Sequence, residues 1–248
     1  AHYGLPPVVQ GSIVVAVGSS FPELASVVFT ALAGVFEMGV GGIVGSAIFN
    51  ILVIPALAGL AATGNIETNR TIVYKEAQFY MIAVAALIIT FSLGVIYLPA
   101  PNSPELVGRI TRPLAVIPLL LYGLYLVIQW QDVSEYAGDV ELNDAIGRQW
   151  ATLAGGLLLI LVGVEQLVCA VEILTRAFGI PEFLAGVIII AAATSLPDTL
   201  VSVRAAREGK GLTSLGNVLG SNTFDLLVAI PIGVLIIGTV SINFAVAV

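Results

Sequence analysis

The sequence is short of charge. Only 10% of its 248 residues are Asp, Glu, Lys or Arg, against about 25% in an ordinary soluble domain, and its mean hydropathy is +1.05. That deficit excludes a soluble globular protein. Histidine and cysteine are almost absent, with His2 and Cys169 the single examples. One cysteine excludes an intrachain disulfide, and zinc, copper or iron would call for more His or Cys than this. Cys169 lies in a helical apolar stretch and is expected to be a buried, inert thiol. No basic stretch opens the chain and its first apolar run contains Glu23, so no cleavable signal peptide is evident. The short alternating segments of a membrane β-barrel are not found either, and no nucleic-acid partner is expected.

What is present is long uncharged sequence, over 38–66, 77–104, 113–131 and 226–248. A membrane-spanning helix needs about 20 apolar residues, so the class is a polytopic all-α membrane protein. The pattern predicts seven helices, at 8–34, 38–63, 73–98, 112–131, 150–178, 182–208 and 213–237, and the start of an eighth running to Val248. Trp130 and Trp150 flank an acidic connecting loop, 132–149, as aromatic residues at membrane interfaces do. Asp132, Glu135, Asp139, Glu141 and Asp144 of that loop are read as solvated. One face receives Arg70, Lys75, Arg148, Arg204, Arg207 and Lys210; the other receives Arg109, Arg112 and Arg176. By the positive-inside rule the first face, with the 132–149 loop, is cytoplasmic. The expected location is the plasma or cytoplasmic membrane.

The chain repeats itself. Residues 4–56 align with 179–231 without a gap, at a constant offset of 175. Ser19-Ser-Phe-Pro-Glu23 matches Thr194-Ser-Leu-Pro-Asp198, and Gly45-Ser-Ala-Ile-Phe-Asn50 matches Gly220-Ser-Asn-Thr-Phe-Asp225. Generic Gly/Ala/Val similarity between membrane helices cannot supply those polar positions. Helices 8–34 and 182–208 are five spans apart, and an odd separation means that the copies cross the bilayer in opposite directions. Inverted repeats with Gly/Pro-interrupted helices are the sequence sign of a secondary transporter whose site lies near the midplane. The domains are therefore a first inverted repeat over 1–131, the loop 132–149, and a second repeat over 150–248.

Each repeat contributes two polar clusters with one spacing. Ser19 and Glu23, Ser46 and Asn50, Thr194 and Asp198, and Ser221 and Asp225 are i,i+4 pairs, which a helix places on one face. Pro22 and Pro197 each remove a backbone donor, which frees the carbonyls of Gly18 and Ala193. The donor set is oxygen only, which suits a hard cation; Ca²⁺ takes 6–8 oxygens at about 2.3–2.6 Å. An acid at the bilayer centre costs about 2.5–3.5 kcal/mol even on the gentler insertion scale. Three of them with no intramembrane Lys or Arg demand a cation or a proton.

Other polar residues read as structural. Ser12, Ser26, Thr30 and Ser202 are expected to bond backbone, and glycines 41, 42, 45, 216 and 220 to permit close helix packing. Glu165 and Glu172 share a helix face and are read as packing or interfacial, with a proton path as the alternative. Asn69-Arg-Thr71 is a glycosylation sequon in form only.

SSFPEL with VGSAIFNIL, and TSLPD with LGNVLGSNTFDLL, resemble the two α-repeats of the cation/Ca²⁺ exchanger superfamily, the sodium/calcium exchangers. The stretch 163–179 also resembles the family helix that precedes the second motif, whereas helices 73–131 match in layout only. The resemblance implies a ten-helix, five-plus-five inverted fold that exchanges Na⁺ for Ca²⁺ by alternating access. Glu23 and Asp198 would be the central Ca²⁺ ligands. Ser19, Ser20, Thr194 and Ser195 would line flanking Na⁺ sites beside Ser46 and Ser221, and Asn50 and Asp225 would complete the polar ring. The carbonyls of Ala16 and Ala191 would serve as backbone ligands. Two departures stand out. Asp198 replaces the usual glutamate, and with Asp225 it looks closer to the potassium-dependent branch, although some potassium-independent microbial members carry that aspartate too. Second, the family's first helix and last two helices have no counterpart here, so the remaining helices of a longer protein are an expected partner of this chain.

The sequence thus points to an antiporter and not an enzyme, with Ca²⁺ and Na⁺ as cargo, K⁺ or H⁺ as open alternatives, the lipid bilayer as its partner and no cofactor. A Ca²⁺/H⁺ exchanger is the rival within transport. An intramembrane aspartyl protease using Asp198 and Asp225 would leave Glu23 and the paired hydroxyls without a role. A non-transporting scaffold leaves the buried carboxylates unexplained.

Overall fold

The computed structural model describes residues 10–62, 64, 69–100, 107–134 and 146–243. Among the described residues are two bent helix pairs and five helices long and apolar enough to cross a membrane. The first pair is α1 (Ile13–Ser19) and α2 (Phe21–Ala33), bent by 44°. There follow α3 (Phe36–Ala61), α4 (Arg70–Tyr97), strand β1 (Val107–Thr111), α5 (Arg112–Ser134) and α6 (Ile146–Phe178). The second pair, α7 (Glu182–Thr194) and α8 (Leu196–Arg207), is bent by 42°, and α9 (Gly211–Ile237) and strand β2 (Thr239–Asn243) close the order. All seven expected helical segments are found within a few residues of their predicted ends, five as helices long and apolar enough to cross a membrane and two as bent pairs. The acidic loop falls mostly outside the described residues.

The two repeats share their backbone devices. Gly34 ends α2 at φ +80° and Gly209 follows α8 at φ +74°, and these two are 175 residues apart. Only glycine adopts that left-handed turn without strain, so each bent pair doubles straight back into α3 or α9. A π-helical turn precedes each break, at Gln10–Val15 and Gly186–Ile190. α3 packs on α7 and α8 as α9 packs on α1.

Glycine sets how closely these helices approach. A Cβ on Gly45 would lie 2.2 Å from the Val187 carbonyl oxygen, on Gly41 2.3 Å from that of Phe183, and on Gly186 2.0 Å from that of Met38. The packing role expected of Gly41 and Gly45 is therefore literal contact between backbones.

Away from the repeat contacts, α4, α5 and α9 share an apolar core. Phe79 meets Tyr125 edge-on at 5.0 Å and Tyr122 meets Phe224 at 5.8 Å. A polar clasp lies beside these rings. Glu76, buried, accepts from the Tyr125 hydroxyl at 2.8 Å and from the Gln129 amide, and Lys75 Nζ donates to Gln129 Oε1 at 2.8 Å.

Two expectations fail. The stretch after Ile237 begins as a strand and not as an eighth helix: β2 pairs antiparallel with β1, from Thr111 opposite Thr239 to Val107 opposite Asn243. Gly238 at φ +94° ends α9, and the alternating, β-branched TVSIN that follows favours extended backbone. Arg112 pins the junction by donating from Nε to the Leu235 carbonyl at 3.0 Å. Cys169 is exposed, not buried. Its helix α6 turns an apolar face outward, with Leu159 76% and Ile173 63% exposed, and the thiol lies on that exposed helix.

Three of the basic residues can be placed at the two ends. Arg207 sits with Leu60 and Ala61 at the end of the molecule where Arg70 begins α4, while Arg112 lies at the opposite end with Leu235. Trp130 is 76% exposed near the end of α5.

Candidate cation site

Each bend is made by a serine followed by a proline. Ser20 (φ −84°, ψ 7°) and Ser195 (φ −75°, ψ 0°) lie between the halves, and Pro22 and Pro197 occupy the first turn of α2 and α8. Proline is well tolerated there because its missing N–H would be unpaired anyway. The motif thus starts a second helix more than it interrupts a continuous one, and it sets Glu23 and Asp198 in the first turns of α2 and α8. The carbonyls of Ala16 and Ala191 each accept one backbone N–H, from Ser20 at 2.8 Å and Ser195 at 3.0 Å. A carbonyl keeps a second lone pair for another partner.

All twelve residues singled out in the sequence are buried: Ala16, Ser19, Ser20, Glu23, Ser46, Asn50, Ala191, Thr194, Ser195, Asp198, Ser221 and Asp225. Their contacts repeat by symmetry. Ser46 Oγ donates to Glu23 Oε1 at 3.4 Å and its equivalent, Ser221 Oγ, donates to Asp198 Oδ1 at 3.0 Å. Ser19 Oγ lies 2.9 Å from the Val15 carbonyl and Thr194 Oγ1 lies 3.0 Å from that of Ile190.

Other contacts cross between repeats. Ser195 Oγ donates to Ser46 Oγ at 2.8 Å, and Asn50 Nδ2 donates to Asp198 Oδ2 at 3.1 Å. The Thr194 hydroxyl neighbours the Glu23 carboxylate as Ser19 neighbours that of Asp198, and Ser20 neighbours Asp225. The four turns do converge.

Six buried side-chain atoms among the described residues lack a hydrogen-bond partner: Ser20 Oγ, Glu23 Oε2, Asn50 Oδ1, both carboxylate oxygens of Asp225, and the Tyr122 hydroxyl. Five of the six belong to the predicted set. A buried polar atom without a partner costs about 1–3 kcal/mol, so their concentration in one place is what an oxygen-ligated cation would relieve. No three Asp, Glu, His or Cys side chains among the described residues form a metal cage unaided. Neutral oxygens must complete any coordination shell, and the hydroxyls, amides and carbonyls interleaved with the acids supply them.

Three residues were missed. Asn217, fully buried, accepts from Ser19 Oγ at 2.9 Å and donates to Ser202 Oγ at 3.0 Å. Asn222 accepts from Asn50 Nδ2 at 3.0 Å. Their repeat equivalents are Gly42 and Ala47, so matching one repeat to the other hides them. Tyr122, on α5, lies near enough to feel the Asp225 charge without bonding to it, and the sequence of that helix carries no motif.

The residues expected to be structural behave so where described. Ser26 Oγ donates to the Glu23 carbonyl at 2.7 Å, Thr30 Oγ1 to that of Ser26 at 2.7 Å, and Ser202 Oγ to that of Ser214 at 3.4 Å; the Ser12 side chain lies outside the described set. Glu165 is exposed on α6 and Glu172 pairs with Arg176 at the surface.

The family model for sodium/calcium exchanger proteins matches residues 1–131 and 148–248. The inner membrane protein YrbG of Escherichia coli K12 is 26% identical over 94% of this chain and 71% of its own length. Sodium/calcium exchanger MaX1 of Methanosarcina acetivorans is 25% identical over 90% of the chain and 71% of its own. A solved structure of the sodium–calcium exchanger NCX_Mj superposes with a TM-score of 0.62 at 25% identity, covering 95% of this chain and 72% of that one.

Proposed function

The chain belongs to the sodium/calcium exchanger family, a multi-pass membrane transporter and not an enzyme, and from that premise we propose that it exchanges Ca²⁺ for Na⁺ at the buried oxygen cluster. Glu23 and Asp198 hold Ca²⁺. Ser19, Ser20, Thr194 and Ser195, with the carbonyls of Ala16 and Ala191, form Na⁺ subsites on either side, and Ser46 and Ser221 orient the two acids. Asn50 and Asp225 close the ring. Na⁺ influx drives Ca²⁺ outward across the plasma or cytoplasmic membrane, with the 132–149 loop on the cytoplasmic side. The two repeats, 1–131 and 150–248, move against each other about the site.

The concentration of unpartnered oxygens on Glu23, Asp225, Asn50 and Ser20 carries this reading. Carboxylates and hydroxyls at one site let one Ca²⁺ and several Na⁺ replace each other without leaving the acids bare. Asp225, with neither oxygen bonded, is the place where K⁺ or H⁺ would enter the cycle. ⁴⁵Ca²⁺ uptake into proteoliposomes with imposed Na⁺, K⁺ or H⁺ gradients decides between these couplings. Uptake driven by a pH gradient with no need for Na⁺ would replace this proposal with Ca²⁺/H⁺ exchange.

A further inference from the structure

The site is less symmetric than its motifs. Ser19 and Thr194 are repeat equivalents, and each hydroxyl lies against the carbonyl four residues back. Ser19 has a second partner, Asn217 Oδ1, at 2.9 Å. Position 42, the equivalent of 217, is glycine, and a Cβ there would already lie 3.0 Å from Ile190 Cγ2. The first repeat thus carries no matching amide, and the space at Gly42 is tight.

The orientation of the Asn217 amide follows from its surroundings. The Asp198 carbonyl, 3.4 Å away, can only accept, so the –NH₂ end faces it and Ser202. The oxygen end therefore faces Ser19, and an amide oxygen only accepts. The neighbours of the Ser19 hydroxyl here, Asn217 Oδ1 and the carbonyls of Val15 and, at 3.3 Å, Ala16, are all acceptors that draw its single proton. Its lone pairs are left for a cation.

We propose that Asn217 is a positioning residue of the exchanger: it draws the Ser19 hydroxyl proton toward its own Oδ1 and so favours Na⁺ at the Ser19 subsite. The inference rests on the Ca²⁺/Na⁺ assignment above. Asn217 acts through Ser19 and touches no ion.

The test uses the full chain, purified and reconstituted, with ⁴⁵Ca²⁺ binding measured without Na⁺ and then displaced by rising Na⁺. Asn217→Ala is expected to raise the half-displacing Na⁺ concentration by about 3–10-fold, the range that loss of one net hydrogen bond gives, and to change Ca²⁺ affinity without Na⁺ by less than about twofold. In a Ser19→Ala background the same substitution is expected to add almost nothing, since coupled residues are non-additive. If Asn217→Ala fails to fold, Asn217→Ser repeats the comparison with a smaller shift of the same sign. Equal weakening of Ca²⁺ and Na⁺, or full additivity with Ser19→Ala, overturns the proposal and leaves the exchanger assignment standing. Wild-type Ca²⁺ binding that Na⁺ does not displace overturns both.

Discussion

Asn222 donates from Nδ2 to the carbonyl oxygen of Ala47 at 3.3 Å, and the two residues stand 175 positions apart, which is the offset of the repeat. Each is the other's equivalent, so the pseudo-twofold axis that relates the repeats passes between them. Asn50 joins the same spot through Asn222 Oδ1 and Asp198 Oδ2. The site is built around the axis itself.

Close backbone packing predicts a sharp contrast among glycines. Gly45→Ala places a Cβ 2.2 Å from the Val187 carbonyl and 2.6 Å from Ala191 Cβ, where neither backbone can yield cheaply. Overpacking of this kind costs about 1–3 kcal/mol, and the displaced α7 carries Ala191 and Thr194. Gly59→Ala meets nothing within 4 Å on the same helix and gains helix propensity of up to about 1 kcal/mol. Thermal unfolding in detergent is expected to fall for the first and hold or rise for the second.

Pro197→Ala returns an N–H to the first turn of α8. The 42° bend is then free to straighten toward a continuous helix, carrying Asp198 away from Ser221 and Asn50. The expected result is a folded protein with Ca²⁺ affinity about tenfold weaker, equivalent to ~1.4 kcal/mol. Isothermal titration of the reconstituted protein checks it, and Pro22→Ala should behave alike by symmetry.

Glu76 offers a prediction about stability alone. Both its oxygens are occupied by neutral donors, Tyr125 and Gln129, on the neighbouring helix α5, and Lys75 stands 3.6 Å away. Gln129→Leu removes one donor from a buried carboxylate and should cost about 1–3 kcal/mol. Chemical denaturation is expected to show that loss, while the Ca²⁺ affinity of the folded fraction stays unchanged.

The helical segments and the buried cluster of twelve polar and small residues were legible because the repeat supplies an internal comparison: one Glu in an apolar helix is ambiguous, but Glu23 and Asp198 at one offset are not. The same device hid Asn217 and Asn222, since their equivalents are Gly42 and Ala47 and the alignment scores them as mismatches. Tyr122 was illegible for another reason. It comes from a helix outside the repeat motifs, and only the fold brings it to Asp225. The π-helical turns before each bend carry no composition signal, because they redistribute hydrogen bonds among Gly, Val and Ile. The strand after Gly238 was misread through hydropathy, which does not distinguish an apolar strand from a short apolar helix.

The most direct test of the central claim is ⁴⁵Ca²⁺ uptake into proteoliposomes driven by an outward Na⁺ gradient, compared for wild type, Glu23→Gln and Asp198→Asn. The account predicts Na⁺-dependent uptake by the wild type and a loss of about 100-fold or more in each variant, since each substitution leaves the cation one carboxylate short in a low-dielectric site. Undiminished uptake in both variants, at equal protein incorporation, would contradict it.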